Sequence, residues 1–370
     1  MKKFFILPFF LILANPISLQ AQELMKEEKP LRIGVVGLVH THVHWILGRE
    51  NLGDIEIVGI AEANQDLAQR YSKQHGYSMD IVFDTVEEML EKTKPEAVTD
   101  FSRIIDHLKT VELCAPKGIH VMVEKPLAVS LDHARKMKAL AEKHGIYLLT
   151  NYETTWYGSN HEAYKMVQEG KVGELKKIVV HDGHPGPVEI GCNEEFLEWL
   201  TDPMLNGGGA LTDFGCYGAN LTTWLMNNIR PTSVTAITQQ IKPHLYPKVD
   251  DEATILLTYP KAQAIIQASW NWPYNRKDIE IYGQTGYIAN LNGTDMRILL
   301  DEQEGSFEKK ANVRDDPLND PFAYMAALIR GKITIKPTDL GALENNMIVM
   351  EILEAAKKSA KTGKTIFLTK

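Results

Sequence analysis

The chain has 370 residues, of which 44% are hydrophobic and 24% charged, and its formal net charge at pH 7 is -8. This length exceeds what one ordinary hydrophobic core organises, so we expect two domains. Surfaces that bind nucleic acid are basic, and no Lys/Arg cluster in this sequence offsets the acidic balance. The composition therefore indicates a globular protein whose partners do not include nucleic acid.

The first 21 residues have the pattern of a secretory signal. Lys2 and Lys3 precede an apolar run from Phe4 to Ala14, and a small and polar stretch ends at Ala21. A charged segment, an apolar segment and a cleavage site are the parts of a Sec-type signal peptide. The run is short for a membrane span, and an uncleaved anchor is the alternative. We expect a periplasmic or otherwise exported protein.

Residues 30–150 alternate apolar strands with helices. This alternation predicts a doubly wound parallel sheet, that is, a Rossmann domain. Helix signals support it: Thr85 with Glu88 forms a capping box, Ser130 is an N-cap, and Gly145 is placed to end the helix that Ser130 begins. The predicted strands are Leu31–Gly37, Ile55–Ala61, Glu96–Phe101 and His120–Val123, and the predicted helices include Thr41–Glu50, Gln65–His75 and the segment from Ser130 to His144.

Residues 151–370 show longer strands with few helices between them. We expect an α+β domain with a large, mostly antiparallel open sheet. Its C-terminal helix can pack back on the Rossmann domain. The predicted strands are Lys177–Asp182, Ser233–Gln239, Ala253–Tyr259, Gln263–Trp270 and Asp278–Tyr282, followed by helices over Pro321–Arg330 and Leu343–Lys358.

The turn after the first strand resembles a dinucleotide-binding turn in part. A full G-x-G-x-x-G motif lets the backbone approach a pyrophosphate. Here Gly37 is retained in register, whereas Val39 and His42 replace the two later glycines. Glu62 ends the second strand, where an acidic side chain accepts hydrogen bonds from an adenosine ribose and repels a 2′-phosphate. We expect NAD rather than NADP as cofactor; a solvated strand-end charge is the alternative for Glu62.

Two later motifs are more specific. Val121–Leu127 contains Glu-Lys-Pro directly after a buried strand, and residues 207–217 read Gly-Gly-Gly-Ala-Leu-Thr-Asp-Phe-Gly-Cys-Tyr. Together they resemble the glucose–fructose oxidoreductase/inositol dehydrogenase family, often called Gfo/Idh/MocA. The resemblance covers nearly all of the mature chain and includes His107, the strand containing Trp270, Asp278–Gly283 and Asp320–Tyr324.

The resemblance implies roles for three residues. In such proteins the lysine of Glu-Lys-Pro contacts nicotinamide and substrate, which corresponds to Lys125, and the aspartate of the glycine motif corresponds to Asp213. Most members have histidine four residues later, where this chain has Tyr217. That pattern resembles the branch in which tyrosine is the acid/base. A free tyrosine has a pKa of about 10, so we expect Lys125 to lower the pKa of Tyr217; a core tyrosine is the alternative.

The remaining site predictions follow from position. The chain has Ser102-Arg103-Ile104 where relatives have Thr-Pro-Asn, which leaves the details of cofactor contact open. His184 and Trp156 are candidate substrate contacts because polar and aromatic groups suit a sugar. His40, His42 and His44 lack a carboxylate or cysteine to complete a metal site, so we expect none. The predicted cofactor-binding residues are Gly37, Leu38, Val39, His40, His42, Glu62, Ser102, His107, Glu124 and Lys125.

Three functions remain open. The first is an exported NAD-dependent oxidoreductase that acts on a sugar or glycoside hydroxyl with a retained cofactor. The second is a redox-neutral NAD-dependent glycosidase or lyase. Such an enzyme oxidises a ring hydroxyl transiently, eliminates the glycosidic oxygen and then returns the hydride to the sugar. The third is a cofactor-free binding protein, since fold alone does not decide function. The resemblance also implies a homodimer or homotetramer, formed through the open sheet at Ala253–Tyr259 and Gln263–Trp270.

Overall fold

The computed structural model describes Met1 and residues 29–368. Apart from Met1, the predicted signal peptide lies outside the described residues. Within the described part of the chain, no helix is long and apolar enough to cross a membrane.

The first domain is built on a six-stranded parallel sheet with strand order β3-β2-β1-β4-β5-β6. This is the order of a doubly wound dinucleotide-binding fold, in which ligands bind at the carboxyl ends of the strands. The predicted Rossmann domain is confirmed. Its strands are β1 Leu31–Val36, β2 Ile55–Ala61, β3 Val82–Phe83, β4 Ala97–Asp100, β5 His120–Glu124 and β6 Leu148–Asn151, and its helices are α1 Val43–Leu47, α2 Gln65–His75, α3 Val86–Thr93, α4 His107–Cys114 and α5 Leu131–His144.

Local sequence signals explain the helix ends of this domain. The Thr85 hydroxyl accepts a hydrogen bond from the Glu88 backbone N–H, and the Ser130 hydroxyl accepts one from His133. Gly145 ends α5 with a φ of +66°, a left-handed conformation that glycine adopts without strain. These caps fix where the chain turns back toward the carboxyl edge of the sheet.

The second domain carries a nine-stranded sheet with strand order β14-β13-β12-β11-β7-β10-β9-β8-β15. All its pairings are antiparallel except β7 with β10. The predicted large, mostly antiparallel sheet is confirmed. The strands are β7 Leu175–Gly183, β8 Ser233–Gln239, β9 Glu252–Thr258, β10 Gln263–Ser269, β11 Arg276–Gly283, β12 Tyr287–Asn290, β13 Asp295–Leu299, β14 Phe307–Lys310 and β15 Ile366–Phe367.

The second domain has more helices than the sequence pattern predicts. Several are only one or two turns long, which is too short for a clear apolar periodicity. They precede β8 and bring the glycine motif against the sheet. The helices are α6 Gly158–Gln168, α7 Glu194–Leu200, α8 Pro203–Asn206, α9 Ala210–Asp213, α10 Gly215–Leu225, α11 Pro321–Ile329 and α12 Leu343–Thr362.

The two last helices tie the domains together. Phe322, Met325 and Leu328 of α11 join the hydrophobic core of the first domain. In α12, the Lys357 ammonium donates to the backbone carbonyl of Val129, and the helix packs against α10 and β8 of the second domain. The end of the chain therefore contacts both domains.

The open face of the second sheet is less apolar than expected. In β9, Ala253, Ile255 and Leu257 are buried, while the alternate residues Thr254, Leu256 and Thr258 point to the other face and are partly or fully exposed. Strand alternation thus turns the apolar residues of β9 toward the helices. Pairing of this sheet with a second copy stays a prediction.

Candidate active site

The turn after β1 keeps the geometry of a dinucleotide-binding turn. Gly37 has a φ of +72°, and a Cβ placed on it would lie 2.7 Å from the Cα of Ser102. Only glycine fits this approach without strain. Gly37, Val39, Glu62 and Ser102 line one cavity of about 450 Å³ at the carboxyl edge of the sheet. The turn therefore presents its backbone to a cavity of nucleotide size.

The Glu62 carboxylate is held toward this cavity by backbone groups. One oxygen accepts from the Leu38 N–H at 2.8 Å and the other from the Asn64 N–H at 2.8 Å. Burial raises the pKa of Glu62, and these two hydrogen bonds oppose that shift. Each carboxylate oxygen has a second lone pair, so hydroxyl donors of a ribose can still bind.

His40 lies in the turn between β1 and α1. It is 1% exposed, and its ring packs between His42 and the aromatic side chains of Phe196 and Trp199 in α7. Its Nδ1 accepts the His42 backbone N–H at 3.1 Å, so the ring proton lies on Nε2, which has no acceptor in the described chain. This nitrogen is enclosed and lies 4.0 Å from a Glu124 carboxylate oxygen. The features that fit a dinucleotide are instead the turn at Gly37, which has no room for a Cβ, and the free lone pairs of the Glu62 carboxylate.

A second, larger cavity of about 640 Å³ lies between the domains. The Lys125 ammonium follows β5 and bonds the Asp213 carboxylate at 2.5 Å, and the Trp270 indole N–H donates to the other Asp213 oxygen at 3.0 Å. Both ions are buried. Burial opposes ionisation, but mutual attraction raises the pKa of Lys125 and lowers that of Asp213. The pair is therefore charged and fixed in place.

The glycine motif positions Asp213. A Cβ on Gly209 would lie 1.8 Å from the backbone oxygen of Asp250, so only glycine allows this approach. The Asp250 carboxylate accepts the backbone N–H groups of Gly209 and Leu211 at 3.1 and 2.7 Å. These contacts anchor the start of α9, whose last residue is Asp213.

Tyr217 lines the same cavity, and two lysine ammonium groups lie near its ring. The ammonium groups of Lys125 and Lys277 lie 5.3 and 5.0 Å from the ring centroid. Burial raises the pKa of Tyr217 well above 10, and the nearby Glu153 carboxylate adds to the shift. The expectation of a lowered pKa is wrong, because burial outweighs the effect of Lys125, which faces the ring and is paired with Asp213. Tyr217 is therefore a protonated phenol, and its hydroxyl is available to donate a hydrogen bond to a molecule in the cavity.

A hydrogen-bonded network holds His42 at the wall of the cavity. Its Nδ1 lies 2.9 Å from one oxygen of the buried Glu124 carboxylate, and the Asn151 amide donates to the other at 2.8 Å. The ring stacks on Trp45, with centroids 3.8 Å apart and planes inclined by 14°. Burial lowers the pKa of His42 well below its usual value, and the charges of Lys125 and Lys277 add to this.

His184 lies in the cavity, as expected of a substrate contact. Its Nδ1 accepts the Gly186 backbone N–H at 2.9 Å, and burial lowers its pKa to about 4. The ring is therefore neutral, with its proton on Nε2. Such a histidine is a hydrogen-bond donor to a substrate hydroxyl.

Three predicted site residues are placed elsewhere. Trp156 borders a separate cavity of about 190 Å³ and donates to the Asn151 side chain at 3.0 Å. His107 is fully buried and bonds the backbone carbonyl of Leu127, so it supports the Glu-Lys-Pro loop from behind. The Leu38 side chain is in the core of the first domain, although its backbone N–H holds Glu62.

Sequence reasoning missed Lys277 and Glu153. The two side chains form an ion pair in the cavity wall, and the Tyr157 hydroxyl donates to Glu153 at 2.5 Å. Lys277 directly precedes the Asp278–Gly283 segment that carries part of the family resemblance. Its position on the same strand, β11, is the sequence signal that could have indicated it as a site residue. The three cysteines are free thiols, of which Cys192 alone lines the cavity.

The prediction that no carboxylate completes a metal site with the histidines is wrong, because one lies beside two of them. Glu124 lies beside His40 and His42, with one potential ligand atom of each residue within 4.8 Å of the others. His44 points away and bonds His75 at 2.8 Å. The hydrogen bonds oppose metal binding, because a metal on His40 Nε2 needs the proton to move to Nδ1, which already accepts a backbone N–H.

A Rossmann domain joined to an open sheet, with a Lys–Asp pair between them, defines a two-domain dehydrogenase-type fold. The chain matches "Oxidoreductase family, NAD-binding Rossmann fold" over residues 31–152 and "GFO/IDH/MocA C-terminal domain" over residues 160–289. It belongs to the Gfo/Idh/MocA family, and its first domain is an NAD-binding Rossmann domain.

The relatives whose names state an activity have low sequence identity to this chain. The chain is 26% identical to trans-1,2-dihydrobenzene-1,2-diol dehydrogenase of Xenopus laevis over 218 residues, which are 58% of this chain and 61% of that protein. It is 23% identical to the Homo sapiens enzyme of the same name over 232 residues, 62% of this chain and 65% of that protein. The match thus spans about three fifths of the length of these relatives.

Solved structures share the fold over nearly the whole chain. An inositol dehydrogenase homolog from Azotobacter vinelandii, complexed with NAD+, has a TM-score of 0.79 and 18% identity, covering 93% of this chain and 98% of that one. An aldose–aldose oxidoreductase from Caulobacter crescentus, complexed with glycerol, has a TM-score of 0.76 and 19% identity, covering 92% and 100%. At these identities the likeness establishes the fold.

Proposed function

We propose that the protein is an exported oxidoreductase that uses a retained NAD to oxidise or reduce a hydroxyl-bearing carbon of a sugar or glycoside. The observation that carries this is the cavity in which Lys125, Asp213 and Tyr217 meet beside the dinucleotide turn. The names of the relatives, an aldose oxidoreductase and an inositol dehydrogenase homolog, point to polyhydroxylated substrates. The retained Gly37 turn favours this function over a cofactor-free binding protein.

Residues of this chain would have distinct roles in cofactor binding and in the reaction. Gly37, Val39 and Glu62 would hold the adenosine half of the cofactor, and a bound nicotinamide would exchange a hydride with the substrate carbon. The phenol of Tyr217 donates to the substrate oxygen and supplies its proton in the direction of carbonyl reduction. Lys125 holds positive charge beside that oxygen, where negative charge develops.

Export favours a cofactor that stays bound. Outside the cytoplasm there is no maintained NAD pool, so a cofactor released after each turnover would be lost. The proposal is tested by supplying NAD+, a glycoside and an optional second sugar as acceptor, and following keto-sugar formation by NMR. Keto-sugar whose amount depends on the acceptor supports it. No keto-sugar from any of a panel of aldoses, inositols and glycosides would refute it.

Glu62 makes the cofactor choice testable. Because its carboxylate would repel a 2′-phosphate, NADP(H) should bind at least about tenfold more weakly than NAD(H) in calorimetry, a difference of about 1.4 kcal/mol. Glu62→Gln keeps the shape and an acceptor for Leu38 but removes the charge, so it should lose most of the discrimination. Equal affinities in the unchanged protein would show that Glu62 does not select the cofactor.

A further inference from the structure

Three histidines line the larger cavity, and their hydrogen bonds give them different abilities. In His40 and His184, Nδ1 accepts a backbone N–H, so Nε2 carries the proton and can only donate. In His42, Nδ1 instead faces the Glu124 carboxylate at 2.9 Å, so Nδ1 carries the proton. Of these three rings, His42 alone has its lone pair on Nε2.

That lone pair has access to the cavity. His42 is a lining residue, and its Nε2 has no protein partner in the described chain and is not among the fully enclosed unpartnered atoms. Stacking on Trp45 and the bond to Glu124 hold the ring in one orientation. Glu124 is itself fixed by the Asn151 amide at 2.8 Å. A carboxylate that orients an imidazole in this way is the arrangement of a general base.

We propose that His42, oriented by Glu124, is a second proton-transfer residue of this site and removes the proton from the carbon next to the carbonyl of a keto-sugar. The inference deepens the proposed function, since that function supplies the keto-sugar. It also favours the redox-neutral glycosidase or lyase reaction, because that reaction, unlike hydride transfer alone, requires removal of a C–H proton.

Other groups of the cavity can stabilise the negative charge that such a step creates. When a C–H proton leaves, negative charge develops on the carbonyl oxygen. The Tyr217 phenol is a protonated donor, and the cations of Lys125 and Lys277 lie near its ring. Donors and cations fixed in advance stabilise a developing oxyanion. In this cavity the protonated phenol of Tyr217 is thus the acid, and the neutral imidazole of His42 is the base.

The step balances without any redox partner. The Nε2 lone pair of His42 takes the proton, the C–H electron pair becomes the C=C bond of the enolate, and the oxygen takes the negative charge. When the carbonyl re-forms, the electron pair shifts toward the next carbon and expels its glycosidic oxygen. That oxygen takes the proton back from His42. The products are an unsaturated ketone and a free alcohol.

The test uses a keto-glycoside, already oxidised, in deuterated water. We expect deuterium at the carbon next to the carbonyl, or release of the alcohol, at a rate that exceeds the protein-free rate. His42→Gln should lower this rate by at least about 10²-fold. His44→Gln is the matched control, because His44 lies only two residues from His42, bonds His75 and does not line the cavity; it should keep the full rate. Equal exchange in His42→Gln and the unchanged protein would overturn the proposal.

The pH dependence gives a readout that a merely structural role would not produce. Because the neutral imidazole is the active form and its pKa is lowered, the exchange rate should hold from about pH 8 to about pH 6.5 and fall only at lower pH. Glu124→Gln should weaken exchange without unfolding the protein. The charged and titratable groups that face His42 are His40, Glu124, Lys125, Glu153, Asp213 and Lys277.

Other outcomes separate this proposal from its rivals. A stoichiometric metal in the purified protein, whose removal by a chelator stops exchange, would overturn the role of His42 as a base. No exchange in the unchanged protein would also overturn it. Failure of the oxidoreductase function shows in a different assay, as absence of keto-sugar from the alcohol with added NAD+, and leaves the exchange measurement readable.

Discussion

Replacing Tyr217 with phenylalanine is expected to lower the rate of keto-sugar reduction by about 10²–10⁴-fold, the usual loss when a positioned acid is removed. The substitution removes one hydroxyl and keeps a ring that fills the same space near the ammonium groups of Lys125 and Lys277. Substrate binding should change little, so the loss should lie in kcat. Steady-state kinetics with a keto-sugar and saturating NADH measures it.

Tyr152 offers a matched control for this substitution. Its ring contacts that of Tyr217 edge to face at 5.4 Å, it is fully buried, and its hydroxyl has no partner in the described chain. It does not line the cavity. Tyr152→Phe should therefore keep nearly full activity. Equal losses in the two variants would mean that Tyr217 matters for packing rather than for proton transfer.

Replacing Lys125 with methionine should have a large effect on both stability and activity. It leaves the Asp213 carboxylate buried without its cation, and breaking a buried pair in this way costs about 3–5 kcal/mol. Activity should fall as well, because the positive charge beside the reacting oxygen is gone. Urea unfolding and keto-sugar assays measure the two effects.

The double variant Lys125→Met/Asp213→Asn separates them. Neutralising Asp213 removes the buried unpaired charge, so the double variant should recover a large part of the stability lost by Lys125→Met. Its activity should stay as low as that of the single variant. Recovery of activity together with stability would show that Lys125 only supports the fold.

Local signals predicted the parts of the fold that depend on neighbouring residues. Ser130 and Gly145 bracket α5 as expected, because caps act within one turn of the helix. The resemblance placed Lys125, Asp213 and Tyr217 in one site, and the structure brings them together.

Contacts between distant residues could not be predicted in this way. Glu124 meets His42 across 82 positions of the chain, and Lys277 meets Glu153 across 124. The raised pKa of Tyr217 likewise follows from burial, which depends on the packed domains rather than on local sequence. The resemblance predicted that Lys125 lies near Tyr217. It did not show that the Lys125 ammonium faces the tyrosine ring.

The central claim, a retained NAD, is tested most directly by the nucleotide that the protein carries. The full-length protein is incubated with equal amounts of NAD+ and NADP+, desalted and denatured, and the released nucleotide is identified and quantified by mass spectrometry. The geometry of Gly37 and Glu62 predicts NAD(H) in a stoichiometric amount and little NADP(H). Protein that carries no nucleotide, or mainly NADP(H), would contradict the account.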